Sequence, residues 1–324
     1  MTDREEEECP SFVPEIQSMM YAMGDSRKPL FESARIIEDT VHSELSKLIL
    51  EAQSVSESRG SPIFQATDLL FVLRKDRALL LRLIRHMKMK DRSTNTAASS
   101  NSWDPVEDVP VNSQQKRLKI IEQTLSSIDV NGELTRLLHD DVTADATKHE
   151  RQVRAAIQAT AMDASEYFRF SEARQVTFTS QNRAQKFRDW LFQPIFPANL
   201  GVKVSPFVLE LLNFLGHEIV ASLIEFALAV RRESRKRIAT EPVYRVKPVE
   251  TGEKVPADQQ QQRLVLIAQK LRERAAKSGN KLPASMGADA LKSMQLQPWH
   301  FRSAVLRLQQ FRGPKNYAQE RFVL

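Results

Sequence analysis

One amphipathic stretch, from Leu30 to about Arg59, limits the folds open to this chain more than any other feature. Apolar residues recur there at every third or fourth position with charged residues between them, which is typical of a helix with one apolar face. Its apolar positions are Leu30, Ala34, Ile37, Val41, Leu45, Leu48, Ala52 and Val55. At 1.5 Å per residue the predicted helix is roughly 45 Å long, so other elements must cover a long stripe.

Shorter helices are predicted on either side of this long one. The first runs from Ile16 to Met23, and Pro29 then suits the first turn of the long helix. A Gly-Ser-Pro sequence at 60–62 ends the long helix, and another short helix begins at about Ala66. A fourth helix places Leu79, Leu80, Leu83, Ile84 and Met87 on one side. Short, long and short helices joined by brief loops form the pattern of a histone fold.

A histone fold implies a partner, because its short helices cannot cover the apolar stripe of its own long helix. The stripe must cross the long helix of a second such unit. Arg59 and Asp68 fit the Arg–Asp bridge that usually ties the second loop of this fold to its third helix. We therefore predict this structural bridge between loop and helix.

The second half of the chain repeats the same plan. A short amphipathic helix covers 182–191, and Ser205-Pro206 opens a second long helix with an N-cap followed by a first-turn proline. The stripe of that helix is Val208, Leu211, Leu212, Leu215, Ile219, Leu223, Phe226 and Val230. A third helix follows late, at 296–308. The prediction is an all-α protein with two histone folds in one chain, which form an intramolecular pair; a swapped homodimer is the remaining alternative.

The predicted organisation has six parts. These are an acidic disordered tail (1–15), the N-terminal histone fold (16–90), a flexible linker (91–113), a helical middle region (114–180), the C-terminal histone fold (181–312) with an insertion at 238–282, and a tail (313–324). The second long helix ends in a basic run. Arg231, Arg232, Arg235, Lys236 and Arg237 in this run resemble a nuclear import signal.

Composition excludes several classes of protein. With one cysteine and scattered histidines there is no zinc pattern, and 9 glycines supply no phosphate-binding loop, so we expect no enzyme activity, metal or cofactor. The acidic N-terminus argues against a secretory signal, and we expect no apolar run long enough to span a membrane. The net charge of +6 permits contact with nucleic acid without requiring it.

Four segments resemble a known family: Ile16 to Leu30, Asp68 to Asp76, Ser171 to Phe178 and Lys186 to Leu191. They are similar to the suppressor-of-Ty histone-fold subunit of the SAGA transcription coactivator. The resemblance runs from about residue 16 to about 232, and 296–308 match more loosely. In that family the first fold is similar to the thirteenth TBP-associated factor of TFIID and the second to the eleventh. The insertion departs from the family pattern.

The resemblance implies a nuclear, non-enzymatic subunit that pairs its own two folds, joins other histone-fold subunits and helps deliver TBP to promoters for RNA polymerase II. TBP is strongly basic, so acidic positions are the expected contacts. Glu218 and Glu225 lie two turns apart on the second long helix. Glu218 also matches an acidic residue of the family's long-helix motif. We therefore predict Glu218 and Glu225 as TBP-binding residues.

Two other functions remain open at this point. One is a histone-like DNA-binding protein, in which Arg27, Lys28 and Arg59 near the loops would hold phosphates, although the many acids of the first fold favour weak or indirect DNA contact. Affinity that falls steeply with salt would support it. The other is a homodimeric scaffold, which would have twice the mass of the chain in solution.

Overall fold

The computed structural model describes residues 10–61, 64–99, 116–140, 143, 145–180, 183–196, 204–238 and 295–312. These ranges contain eleven α-helices and no strand, so the chain is all-α as predicted. The helices are α1 (Val13–Met23), α2 (Phe31–Ser58), α3 (Ala66–Leu73), α4 (Arg77–Ser99), α5 (Lys116–Ile128), α6 (Glu133–His139), α7 (Ala146–Thr160), α8 (Ala164–Gln175), α9 (Ala184–Phe192), α10 (Pro206–Ile238) and α11 (Pro298–Arg312). The predicted insertion at 238–282 lies outside these ranges apart from its first residue.

Local signals account for several helix ends. The side chains of Asp145 and Asp163 accept hydrogen bonds from backbone N–H groups in the first turns of α7 and α8. Ser205 Oγ accepts from the backbone N–H of Val208, 3.3 Å away, in the first turn of α10. Each bond satisfies an N–H group that has no partner within the helix. α1 ends at Gly24, whose φ of 121° suits glycine.

Two boundaries differ from the sequence prediction. The fold begins before Ile16, because Phe12 is completely buried and its ring meets that of Phe178 edge to face, with 5.5 Å between centroids. Part of the segment predicted as a tail therefore belongs to the core. α4 continues to Ser99, into the stretch predicted as a linker from Asp91.

Contacts along the chain divide it into two compact units, and each combines segments from both halves of the sequence. The first unit contains Met1–Val41, Ala144–Ser180 and His217–Leu324, and the second contains His42–Thr143 and Gln181–Gly216. The boundaries fall inside α2 and α10, so each long helix contributes one part to each unit. Each compact unit therefore combines residues of the two predicted histone folds, and their pairing within one chain stays a prediction.

In the first unit, α1 packs on α8, and the start of α11 is fixed to the loop that joins α1 to α2. The backbone N–H of the fully buried Leu296 donates to Asp25 Oδ1 at 2.8 Å, and its carbonyl accepts from Ser33 Oγ at 3.0 Å. Ser33 is also fully buried. Despite the insertion that precedes it, the last helix of the second half is thus bonded to the first half.

Asp25 is a buried acid whose titration should be measurable. Its carboxylate accepts from the N–H groups of Leu296 and Ser26, and its Oδ2 has no hydrogen-bond partner among the described residues. Burial raises the pKa of this carboxyl to about 6, although both N–H bonds and the charge of Arg231 act in the opposite direction. The charged form is therefore disfavoured in the folded chain.

We expect the stability of the wild-type chain to fall by about 2 to 3 kcal/mol relative to Asp25→Asn as pH rises from about 4 to about 6. Between the unfolded pKa and the raised folded pKa, the folded state holds more protons than the unfolded state, so rising pH favours unfolding. Urea denaturation of both proteins at several pH values measures this difference. Parallel curves for the two proteins across this range would contradict the assignment.

In the second unit, residues of the first half again meet residues of the second. The His42 ring packs edge to face on Trp190 with 4.9 Å between centroids, and Phe64 stacks on Phe192 at 6.0 Å. Glu210 of α10 binds both Lys90 Nζ (2.8 Å) and Arg117 Nε (2.7 Å). Aromatic packing and ion pairs therefore both join α10 and α9 to the first half in this unit.

The predicted bridge geometry is present in the second unit. Arg59 donates from Nε to Asp68 Oδ1 at 3.1 Å and from Nη2 to Oδ2 at 2.9 Å. Asp68 is buried and also accepts from the backbone N–H of Gln65 at 2.8 Å. Three hydrogen bonds to one buried carboxylate hold the end of α2 against the start of α3.

The apolar stripes of both long helices are buried within this single chain. The predicted stripe positions of α2 from Ala34 to Leu45 are fully buried, whereas Leu30 is half-buried, and further along Ile49 rather than Leu48 is fully buried. The stripe of α10 is broader than predicted. Its buried apolar residues are Val208, Leu211, Leu212, Phe214, Leu215, Ile219, Val220, Ala221, Leu223, Ile224, Ala227, Leu228 and Val230.

The broad apolar stripe of α10 contradicts the prediction that no apolar run is long enough to span a membrane. Within the described part of the chain, Pro206–Ser234 is the one stretch long and apolar enough to cross a membrane, so the prediction that no run has that length is wrong. Packing explains its composition, because 67% of the apolar window is buried inside the fold. A helix enclosed on most sides has few positions left for charged residues.

Candidate functional site

The two acids singled out in the sequence lie together in the first unit, on the side of α10 that faces α7. Arg151 of α7 donates from Nη1 to Glu218 Oε1 at 2.8 Å and from Nε to Glu225 Oε1 at 2.5 Å. The exposed fractions of these side chains are 22% for Arg151, 11% for Glu218 and 22% for Glu225. One guanidinium thus joins two carboxylates, and we call these three residues the acid cluster.

The acid cluster carries one negative charge more than positive charge, because it contains two carboxylates and a single guanidinium. Burial by itself would lower the pKa of Arg151, but the hydrogen bond to Glu225 and the charges of both glutamates raise it above its ordinary value. Arg151 therefore stays protonated.

The sequence of α7 explains why an arginine reaches these acids. Arg151, Arg154 and Gln158 follow one another at helical spacing and share a face of α7. Arg154 Nη1 donates to the carbonyl of Met23 at 3.3 Å, so its side chain passes over the end of α1. Gly24 permits this approach, because a Cβ there would lie 2.8 Å from Arg154 Cδ and its φ of 121° is strained for other residues.

The structure brings Glu218 and Glu225 together as predicted from their spacing, but it also binds both to a residue of the same chain. Sequence reasoning missed Arg151 as their partner. The available signal was the basic amphipathic pattern of α7, which does not say which acids it meets. That these acids contact another protein stays a prediction.

The other predicted residues lie elsewhere. Arg59 and Asp68 form the bridge in the second unit, and Arg27 pairs with Glu166 at 2.9 Å in the first. Arg231 and Arg232 of the basic run line a cavity beside α7, while the side chains of Arg235, Lys236 and Arg237 lie outside the described part. Across the described ranges, no group of three His, Cys, Asp or Glu residues could hold a metal ion.

Comparison with known proteins adds to this geometry. Residues 10–102 match the family model of the transcription initiation factor IID 18kD subunit. The chain is 28% identical over 226 residues to the SAGA complex subunit Spt3 of Schizosaccharomyces pombe, covering 67% of this chain and 72% of that protein. With the Saccharomyces cerevisiae SAGA complex subunit SPT3 it shares 26% identity over 255 residues, covering 68% and 74%.

A shorter match has a higher sequence identity. The transcription initiation factor TFIID subunit 13 of Dictyostelium discoideum is 39% identical over 80 residues, which cover 25% of this chain and 74% of that protein. Together with the short, long and short helices α1 to α3, these matches define a histone-fold protein of the transcription machinery. Residues 10–102 belong to the family of the transcription initiation factor IID 18kD subunit, and over about two thirds of its length the chain is similar to the Spt3 subunits of SAGA.

Proposed function

We propose that this chain is a non-enzymatic, nuclear subunit of a SAGA-type transcription coactivator, and that it binds TBP and helps recruit it to promoters for RNA polymerase II. The observation that carries the proposal is the similarity, over about two thirds of the chain, to Spt3 proteins that are SAGA subunits. Other histone-fold subunits of such a complex are the expected further partners. The basic run that begins at Arg231 supports nuclear import.

The acid cluster is the surface we propose for TBP. A strongly basic partner is attracted by the net negative charge of Glu218, Glu225 and Arg151, and Glu225 retains 22% of its side-chain exposure. Direct DNA binding has less support, because Arg27 and Arg59 are already paired with Glu166 and Asp68. A homodimer also has less support, since the stripes of α2 and α10 are buried within one chain.

The test is the affinity of the purified chain for TBP at physiological salt. We expect Glu218→Gln with Glu225→Gln to weaken binding about tenfold, which is about 1.4 kcal/mol, because neutral amides of the same shape remove the attraction. Glutamine is preferred to lysine, since two lysines beside Arg151 would place three cations together and disturb folding.

The matched control is Glu32→Gln with Glu51→Gln, two exposed acids of α2 that remove the same charge from another place. Its TBP affinity should equal that of the wild type. Equal loss in both double variants would show a general charge effect and reject the acid cluster as the site. Absence of TBP binding by the folded wild-type chain, together with salt-sensitive binding to duplex DNA, would reject the proposed function in favour of the DNA alternative.

A further inference from the structure

The contact between α7 and α10 has two electrically different ends. At one end Arg151 meets Glu218 and Glu225. Further along both helices a cavity of about 250 Å³ is lined by Gly24, Arg154, Gln158, Leu228, Arg231 and Arg232. Three of these six residues are arginines and none is acidic, so we call this space the arginine cavity.

Positive charge predominates in the lining of the arginine cavity, which contains three arginines and no acidic residue. Arg154 donates to the carbonyl of Met23, and neither Arg154 nor Arg232 forms an ion pair within the described ranges. Burial lowers the pKa of Arg154 below its ordinary value, and the charge of Arg232 adds to this although Glu225 and Glu150 oppose it. A partly buried cation beside a second cation is stabilised when an anion binds between them.

Gln158 supplies a second, independent observation. It lines the same cavity, and its buried Oε1 has no hydrogen-bond partner among the described residues. Flipping the side-chain amide of Gln158 places the N–H donors of Nε2 where Oε1 now lies. A bound carboxylate would accept from that amide and from the guanidinium groups, so it would satisfy polar groups of both kinds.

Size and shape favour a single acidic side chain over a larger ligand. The volume lies below the range of about 300–1,000 Å³ usual for small-molecule and cofactor pockets. Leu228 gives the cavity one apolar wall, which suits the methylene groups of such a side chain. Guanidinium groups bind carboxylates through bidentate hydrogen bonds. A nucleic acid would need an extended basic strip. Here the basic surface is interrupted, because Glu225 lies within two turns of Arg232 on the same helix.

We propose that the arginine cavity binds a glutamate or aspartate side chain from an acidic segment of a protein partner. The site is separate from the acid cluster and takes a ligand of opposite charge. Its test, the binding of an acidic peptide, does not involve TBP. The chain would use adjacent parts of one helix pair to hold a basic and an acidic partner.

The experiment measures binding of a labelled peptide of alternating glutamate and glycine to the purified 324-residue chain at low ionic strength. A matched peptide has glutamine in place of each glutamate. We expect the glutamate peptide to bind at least tenfold more tightly than the glutamine peptide. The double variant Arg154→Gln, Arg232→Gln should bind the glutamate peptide at least tenfold more weakly than the wild type. Arg232→Gln alone should weaken this binding by a smaller factor.

The control is Arg35→Gln with Arg302→Gln, two exposed arginines elsewhere in the first unit, which remove the same charge. This variant should bind the glutamate peptide within twofold of wild type. Equal binding of both peptides, or equal loss in the control, overturns the proposal, as does tighter arginine-dependent binding of duplex DNA. Arg232 is exposed and forms no described bond, so its single variant keeps the test valid if the double variant misfolds.

Discussion

Replacing Arg151 by methionine should lower the free energy of unfolding by about 3 to 5 kcal/mol, because it leaves two mostly buried carboxylates without their cation. Glu218 and Glu225 keep only 11% and 22% of their side-chain exposure, so water replaces the guanidinium poorly. The two like charges would then face each other across the vacated space. Urea denaturation of the wild type and the variant gives the difference.

A triple variant separates the lost charge from the lost packing. Adding Glu218→Gln and Glu225→Gln to Arg151→Met removes every charge of the acid cluster, and glutamine keeps the shape of glutamate. We expect the triple variant to be clearly more stable than Arg151→Met alone. A cost below about 1 kcal/mol for the single variant, or no recovery in the triple, would mean that the cluster is not a buried ion-pair network.

Phe178→Ala should cost about 3 to 5 kcal/mol of unfolding free energy, the usual range for a fully buried phenylalanine. Its ring lies 5.5 Å from that of Phe12, edge to face, so the alanine variant removes this aromatic contact and leaves a cavity. Phe12→Ala should be costly for the same reasons. Because the two rings touch, the double variant should cost less than the sum of the single variants.

Phe168→Ala is the matched control for Phe178→Ala, because it removes the same side chain from a position in α8 that is 65% exposed. Its effect should stay within about 0.5 kcal/mol, as for most surface substitutions. If Phe12→Ala were as mild as Phe168→Ala, the segment before α1 would not belong to the core, and the predicted tail boundary at residue 15 would stand.

Helix positions were predictable because their signals are local. The periodicity of α2, the first-turn prolines of α10 and α11, and the glycine after α1 all act within a few residues of the boundary that they define. The structure places α3 at Ala66, where the sequence predicted it. Small errors arose where neighbouring positions were equally apolar, as with Leu48 and Ile49.

Which residues form the core was less predictable from the sequence. Phe12 stands beside an acidic run, and its burial depends on Phe178, which no local pattern connects to it. The membrane-like composition of α10 has the same origin, since only the surrounding helices show that the stretch is a core element. Composition alone does not distinguish enclosure by protein from enclosure by lipid.

The candidate site was also only partly predictable from the sequence. Sequence reasoning selected Glu218 and Glu225 because helical spacing places them on nearby faces of one element. It did not find Arg151, which lies 67 residues before Glu218 and 74 before Glu225. Nor did it find the arginine cavity, which combines Gly24, the residue after α1, with residues of α7 and α10.

By itself the sequence determined the all-α class and the order and approximate positions of most helices, because periodicity, capping and turn residues act over short distances. Only the tertiary structure decided that Glu218 and Glu225 share one arginine and that three arginines line one cavity. Charge partners are chosen by the packing of helices that are distant in the chain. The free energy of each buried charge depends on that packing, which no single helix encodes.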